Sequence, residues 1–231
     1  MFLVGGPAFS GTTLLAHLLD QDGLVCLDEP DFHNPDQNHR SIPVLAQRFP
    51  DRSFPARPER KLGYRDAFRV IEQCQEVIRP VRLGVKTANW IFIHYARLYR
   101  KSGYPVIAIV RDIRDALVTP LPEWITERQL NKAYRLIWRN VSRFDFWCRY
   151  EDLVNNPAAA LEEISRVLRH KVQIRHSWGR EQVAEEMLKL DRHRLLQQGS
   201  IQTCRVGVWK QSGKVFSRMS HRTAAIMGYP G

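Results

Sequence analysis

Apolar positions along the chain fall into two rhythms. Short unbroken runs read as buried strands: Phe2-Leu-Val4, Leu24-Val-Cys-Leu27, Leu83-Gly-Val85 and, most strongly, Pro105-Val-Ile-Ala-Ile-Val110. Between them the apolar residues recur at helical spacing. Leu14, Leu15, Leu18 and Leu19 mark one helix, and Phe68, Ile71, Val77 and Ile78 mark a second over Tyr64 to Ile78. A third runs from about Asn89 to Arg100 and stops at Gly103. Leu121 to Val141 carries aromatic stripes (Trp124, Tyr134, Trp138), and Pro157 to Leu168 has proline in its first turn. Phe144 to Tyr150 alternates as a strand does. Strands alternating with helices predict an α/β fold of three layers, a central parallel sheet with helices on both faces. The absence of repeats or linkers over 231 residues predicts one domain, 1–231.

Two stretches break the rhythm. Asp28 to Lys61 is rich in Pro, Asn, Asp and Arg without periodicity, which is long for a structureless connection and suits a pocket-shaping segment. The tail is basic and helical in pattern, interrupted from Gly199 to Gly213. From Arg166 to Arg222 there are 13 Lys and Arg against 4 Asp and Glu, so most of the net charge of +11 sits in the last third. Such a face suits an anionic ligand, or is a solvated helix surface. No run of about 18 apolar residues suggests a membrane span, and no basic-then-apolar start suggests a signal peptide. Cys26, Cys74, Cys148 and Cys204 lie far apart with no CxxC pair. They fit reduced thiols of a cytoplasmic protein better than disulfides or a metal site.

The first fifteen residues carry the clearest chemistry. A strand enters the small-residue loop Gly5 to Gly11, and Thr12-Thr13 opens a helix. In that geometry backbone N–H groups and the helix dipole converge on an anion. The spacing Gly6-x4-Gly11-x-Thr13 is that of the ATP-type phosphate loop, with Thr12 in the lysine position. Ser10, Thr12 and Thr13 add hydroxyls. Arg111 follows the strongest strand, at the edge where open α/β sheets bind ligands, and its planar fork suits phosphate. Thr119, eight residues on, falls on the same face of a helix.

Four segments, in order, resemble the sulfotransferases that use 3′-phosphoadenosine 5′-phosphosulfate (PAPS). They are Phe9-Ser-Gly-Thr-Thr13, Val110-Arg-Asp-Ile-Arg-Asp-Ala-Leu-Val-Thr119, Arg149-Tyr-Glu-Asp-Leu-Val-Asn-Asn-Pro157 and Arg205-Val-Gly-Val-Trp-Lys210. The resemblance implies a fold of the phosphate-loop nucleotide-binding type and transfer of a sulfuryl group to a hydroxyl or amine. PAPS would be the donor, 3′,5′-bisphosphate PAP the product, and no metal would be needed. It assigns Ser10, Gly11, Thr12 and Thr13 to the 5′-phosphosulfate, Arg111, Thr119, Arg205 and Gly207 to the 3′-phosphate, and Tyr150 to adenine. The acceptor would be a small molecule or glycan, with no nucleic acid as partner.

The chain departs from that pattern at Phe9, where the family places a basic residue, at Leu14 in place of tryptophan, and at Ile113 in place of proline. The cation at the leaving oxygen then has to come from elsewhere. Lys86 is the substitute, in Gly84-Val-Lys-Thr-Ala-Asn-Trp90, a segment similar to the Lys-[Ser/Thr]-x-x-aromatic element of Golgi and bacterial sulfotransferases. Glu29, after the second strand, is the candidate general base, with His33 as runner-up. The alternatives are a nucleotide-binding module without catalysis, for which Phe9 speaks, and a phosphate-loop kinase, against which Thr12 speaks.

Overall fold

The computed structural model describes residues 1–30, 32–33, 41–119, 121–123, 125–174 and 206–230. Five strands form one sheet: β1 (Phe2–Gly6), β2 (Leu24–Asp28), β3 (Arg82–Ala88), β4 (Val106–Val110) and β5 (Phe146–Arg149). All neighbours pair in parallel, in the order β2-β3-β1-β4-β5. The chain leaves β1 toward one edge and β4 toward the other. The switch point therefore lies between β1 and β4, and ligands bind open sheets at such a crevice.

Helices cover both faces, as the alternation predicts. The pleat sends Phe2, Val4, Ile107 and Ile109 into one buried layer with α1 (Thr12–Leu19) and α8 (Pro157–Leu168). It sends Leu3, Val85, Val106, Ala108 and Val110 into the other, with α3 (Tyr64–Ile78), α4 (Asn89–Lys101) and α6 (Glu127–Arg139). Strand residues with apolar neighbours above and below explain the unbroken runs in the sequence. The remaining helices are α2 (Ile42–Arg48), α5 (Ile113–Val118), α7 (Tyr150–Asn155) and α9 (Arg218–Ile226).

Several boundaries differ from the expectation: β1 runs on through Gly5 and Gly6, β3 through Ala88, and β5 is Phe146–Arg149 with Tyr150 opening α7. The segment Asp28 to Lys61 contains α2, which buries Ile42 and Leu45 and has proline in its first turn. The Leu121–Val141 helix begins only at Glu127. There Thr126 and Gln129 form a reciprocal capping box that satisfies first-turn N–H groups. The helix after β4 starts at Ile113, with the Asp112 carboxylate accepting the Arg114 N–H, and ends at Val118. Arg111 thus precedes it and Thr119 caps it.

Cys26, Cys74 and Cys148 are free and buried. Burial pushes the thiols of Cys74 and Cys148 up to about 12. For Cys26 burial, then the charges of Asp20 and Asp28, act in the same direction. The thiolate is the reactive form. In the native protein these three cysteines should resist iodoacetamide at pH 8 and react in denaturant. Peptide mapping of the alkylated residues checks this.

Candidate active site

The loop between β1 and α1 closes tightly on its surroundings. A Cβ on Gly6 would lie 2.1 Å from the Ile109 carbonyl oxygen, and one on Gly11 would lie 2.3 Å from the Tyr150 ring. Gly11 also has φ +92, which favours glycine. Ser10 is fully buried, and its hydroxyl bridges the carbonyls of Pro7 (2.7 Å) and Ile109 (3.0 Å). Its proton therefore holds the loop to β4. Thr12 and Thr13 are the first residues of α1, and no side chain caps that helix. Their N–H groups are among those a helix start leaves for an external acceptor.

A brace that the sequence did not disclose comes from Asn89, whose Oδ1 accepts the Ala8 N–H at 2.9 Å. Asn89 has φ +56, Phe9 +64 and Glu29 +48. Three of the four positive-φ non-glycine residues among those described thus lie just beyond β1, β2 and β3. For Phe9 and Glu29 this backbone costs about 1–3 kcal/mol each, and such strain gathers at functional sites.

Lys86 lies inside β3, one step further into the sheet than expected. The register sets it beside Asp28 of β2 and Val4 of β1. Its side chain is 2% exposed, and Nζ lies 2.7 Å from Asp28 Oδ1 and 2.9 Å from Glu29 Oε1. Burial alone would lower its pKa, but the two carboxylates outweigh it and hold the group above its ordinary value. Lys86 is therefore a cation that donates a hydrogen bond to Glu29 Oε1 and lies within ion-pair distance of Asp28. His17 of α1 lies on the same side, where burial pushes its pKa down against Asp28 and Asp20.

His33 sits among aromatic residues. Its Nδ1 faces the Leu62 carbonyl at 3.4 Å, and its Nε2 meets the Tyr95 hydroxyl at 2.8 Å. A carbonyl only accepts, so this pairing puts the ring proton on Nδ1 and makes Nε2 the acceptor. Tyr64 packs edge-on to His33 and stacks on His94, with centroids 4.5 Å apart in both pairs. Glu29, with 47% of its side chain exposed, is the more accessible of the two candidate bases.

On the other side of β1, Arg111 follows β4 and is 3% exposed. Its guanidinium lies over the Tyr150 ring, 4.8 Å from the centroid, and its NH2 is 3.6 Å from Asp115 Oδ2. Asp115 in turn accepts the N–H groups of Gly207 (2.8 Å) and Trp209 (3.0 Å). Thr119 Oγ1 reaches the Asp115 carbonyl at 3.4 Å. Behind them Glu151 accepts the Asp112 N–H (3.1 Å) and the Tyr229 hydroxyl (2.9 Å), tying the tail to the start of α5. Burial pushes the Glu151 pKa up, against those hydrogen bonds. Arg205 lies outside the described residues.

The four separated sequence segments therefore meet. Gly11 touches Tyr150, Tyr150 carries Arg111, and Arg111 faces Asp115, which holds Gly207. The sulfotransferase domain of the Synechococcus PCC 7002 olefin synthase superposes on this chain with a TM-score of 0.62. That match covers 100% of this chain and 94% of that one at 15% sequence identity. The chain has the fold of a sulfotransferase domain. Mouse sulfotransferase SULT7A1, solved with PAP, also matches, with a TM-score of 0.48 and 16% identity over 96% of this chain and 79% of that one. No protein-family model and no curated protein matches the sequence. Among the described residues no helix is long and apolar enough to cross a membrane. Among them, too, no cluster of three His, Cys, Asp or Glu could hold a metal ion.

Proposed function

We propose that this chain is a sulfotransferase that moves a sulfuryl group from PAPS to a hydroxyl or amine of a small-molecule or glycan acceptor. The observation that carries this reading is the meeting of the loop, Arg111, Tyr150 and Gly207 at the carboxyl edge of the sheet. The fit is chemical: glycines let the loop lie close against β4 and Tyr150 beside uncapped helix N–H groups, and a guanidinium stands across the switch point. In this reading Gly11, Thr12 and Thr13 hold the 5′ group while Ser10 shapes the loop. Arg111 and Thr119 hold the 3′-phosphate, with Arg205 and the Gly207 loop closing over it. Tyr150 supports Arg111 with one face and is the residue assigned to adenine. PAPS, when bound, supplies an activated sulfuryl group.

Lys86 stabilises charge on the departing side, and Glu29, paired with it, takes the acceptor's proton. His33 is the alternative base, and Tyr95 would have to release its Nε2 first. One observation favours a second reading, a PAP-binding module without turnover: Phe9 holds the basic position, while Lys86 is engaged by two carboxylates.

Calorimetry with PAP and AMP, followed by a PAPS assay against an acceptor panel, tests the proposal. PAP should bind about 10- to 100-fold more tightly than AMP, the equivalent of one charge-assisted contact to the 3′-phosphate. Arg111→Ala should cost about 1.5–3 kcal/mol of PAP binding and leave AMP binding unchanged. Because Arg111 is 3% exposed, its melting temperature should fall as well. Equal affinity of the wild type for the two nucleotides would remove the 3′ site.

A further inference from the structure

The segment after Gly207 is docked on α5 by several contacts. Asp115 Oδ2 and Oδ1 accept the Gly207 and Trp209 N–H groups, the Arg114 guanidinium lies 3.8 Å from the Trp209 ring centroid, and Lys214 Nζ donates to the Leu117 carbonyl at 2.7 Å. Asp115 is the member of this set that also faces Arg111. Its side chain is 1% exposed, and its Oδ2 is shared between the loop and the guanidinium.

A carboxylate is an awkward neighbour for a phosphate site. Its charge opposes a phosphate by Coulomb repulsion, the more so where water is excluded. An anion site built for charge alone would have a neutral residue there. Resting on the sulfotransferase reading, we propose that Asp115 is a positioning residue for the donor nucleotide. It holds the Arg111 fork and the Gly207–Trp209 turn in one arrangement, so that a 3′-phosphate meets both at once. The repulsion is offset because less freedom of Arg111 and of the loop has to be lost on binding.

Asp115→Asn keeps the size of the side chain, removes its charge, and leaves one good acceptor for two N–H groups. Calorimetry with PAP and AMP, alongside thermal melts, separates the possibilities. The proposal expects PAP affinity to fall about 10-fold while AMP affinity stays within about twofold, since AMP lacks the phosphate that Arg111 and the loop receive. Unchanged or tighter PAP binding would make Asp115 only an opposing charge and overturn the proposal. A parallel loss for PAP and AMP would make it a packing residue and overturn it too. If Asp115→Asn does not fold, Asp115→Glu carries the test: it keeps the charge but displaces the carboxylate by one methylene from the Gly207 and Trp209 N–H groups, and should reproduce the selective loss of PAP, whereas wild-type PAP affinity in it would overturn the proposal. A wild type that does not distinguish PAP from AMP would instead sink the underlying reading, before any variant is compared.

Discussion

Glu29→Gln should lower turnover by about 10²–10⁴-fold while PAP affinity stays unchanged, the scale for losing a general base. The variant suits the question because its amide oxygen can still accept from Lys86 Nζ, which lies 2.9 Å from the wild-type carboxylate. The fold and the charge of Lys86 are kept, and only proton acceptance is lost. Steady-state assays with PAPS, run with PAP calorimetry on the same variant, check the split. Turnover near that of the wild type would transfer the role to His33. In that case Tyr95→Phe should alter turnover, since it removes the hydroxyl that meets Nε2.

The fold was legible where the physics is local. β1 and β4 are apolar runs because both their faces are covered. β4 appears at the expected residues, and β1 starts there but runs on through Gly5 and Gly6, which were expected in the loop. The start of α6 was legible in principle, since Thr126 and Gln129 have capping-box spacing, but helical periodicity upstream of Glu127 masked it. α2 is only seven residues long and carries proline in its first turn, too short for periodicity to register.

The site was legible as a set of residues but not as a set of partnerships. Lys86 and Glu29 were singled out separately, one as a cation and one as a base. That Lys86 pairs with both Glu29 and its neighbour Asp28 follows from the register of β2 on β3, which joins residues more than fifty positions apart. Asn89 reaches Ala8 across 81 positions, and no spacing rule points to it. In the sequence Asp115 is only one residue of the Val110–Thr119 segment. Its function as the joint between Arg111 and Gly207 depends on where a loop 92 positions later comes to rest. Arg111 read as a strand-end charge, yet it is buried under that same joint, so its substitution bears on stability as well as on binding.

Lys86→Met should lower turnover by about 10²–10³-fold, the scale for removing one transition-state donor, with a smaller effect on PAP affinity. It should also destabilise the fold. Methionine keeps the stem's bulk but leaves Asp28, 15% exposed, without its counter-charge. Breaking a buried pair costs about 3–5 kcal/mol, and the lower end applies because Glu29 is 47% exposed and can turn to water. The folded-state pKa of Lys86 is raised, so the stabilisation is fully present below its unfolded value and is lost only as pH rises through the higher folded one. From the lysine's side, the stability gap between variant and wild type should therefore be constant from neutral pH toward 10.5. Calorimetric melts at several pH values measure that gap, and assays below the variant's melting range isolate the catalytic loss. Phe9→Lys in the Lys86→Met background should restore part of the turnover, because it returns a cation to the loop position that sulfotransferases usually give to one. Alone it should change little. If Lys86→Met retained full turnover, Lys86 would be only a structural counter-ion; if the wild type were inactive and Phe9→Lys switched it on, the chain would be a nucleotide-binding module that has lost its cation at Phe9.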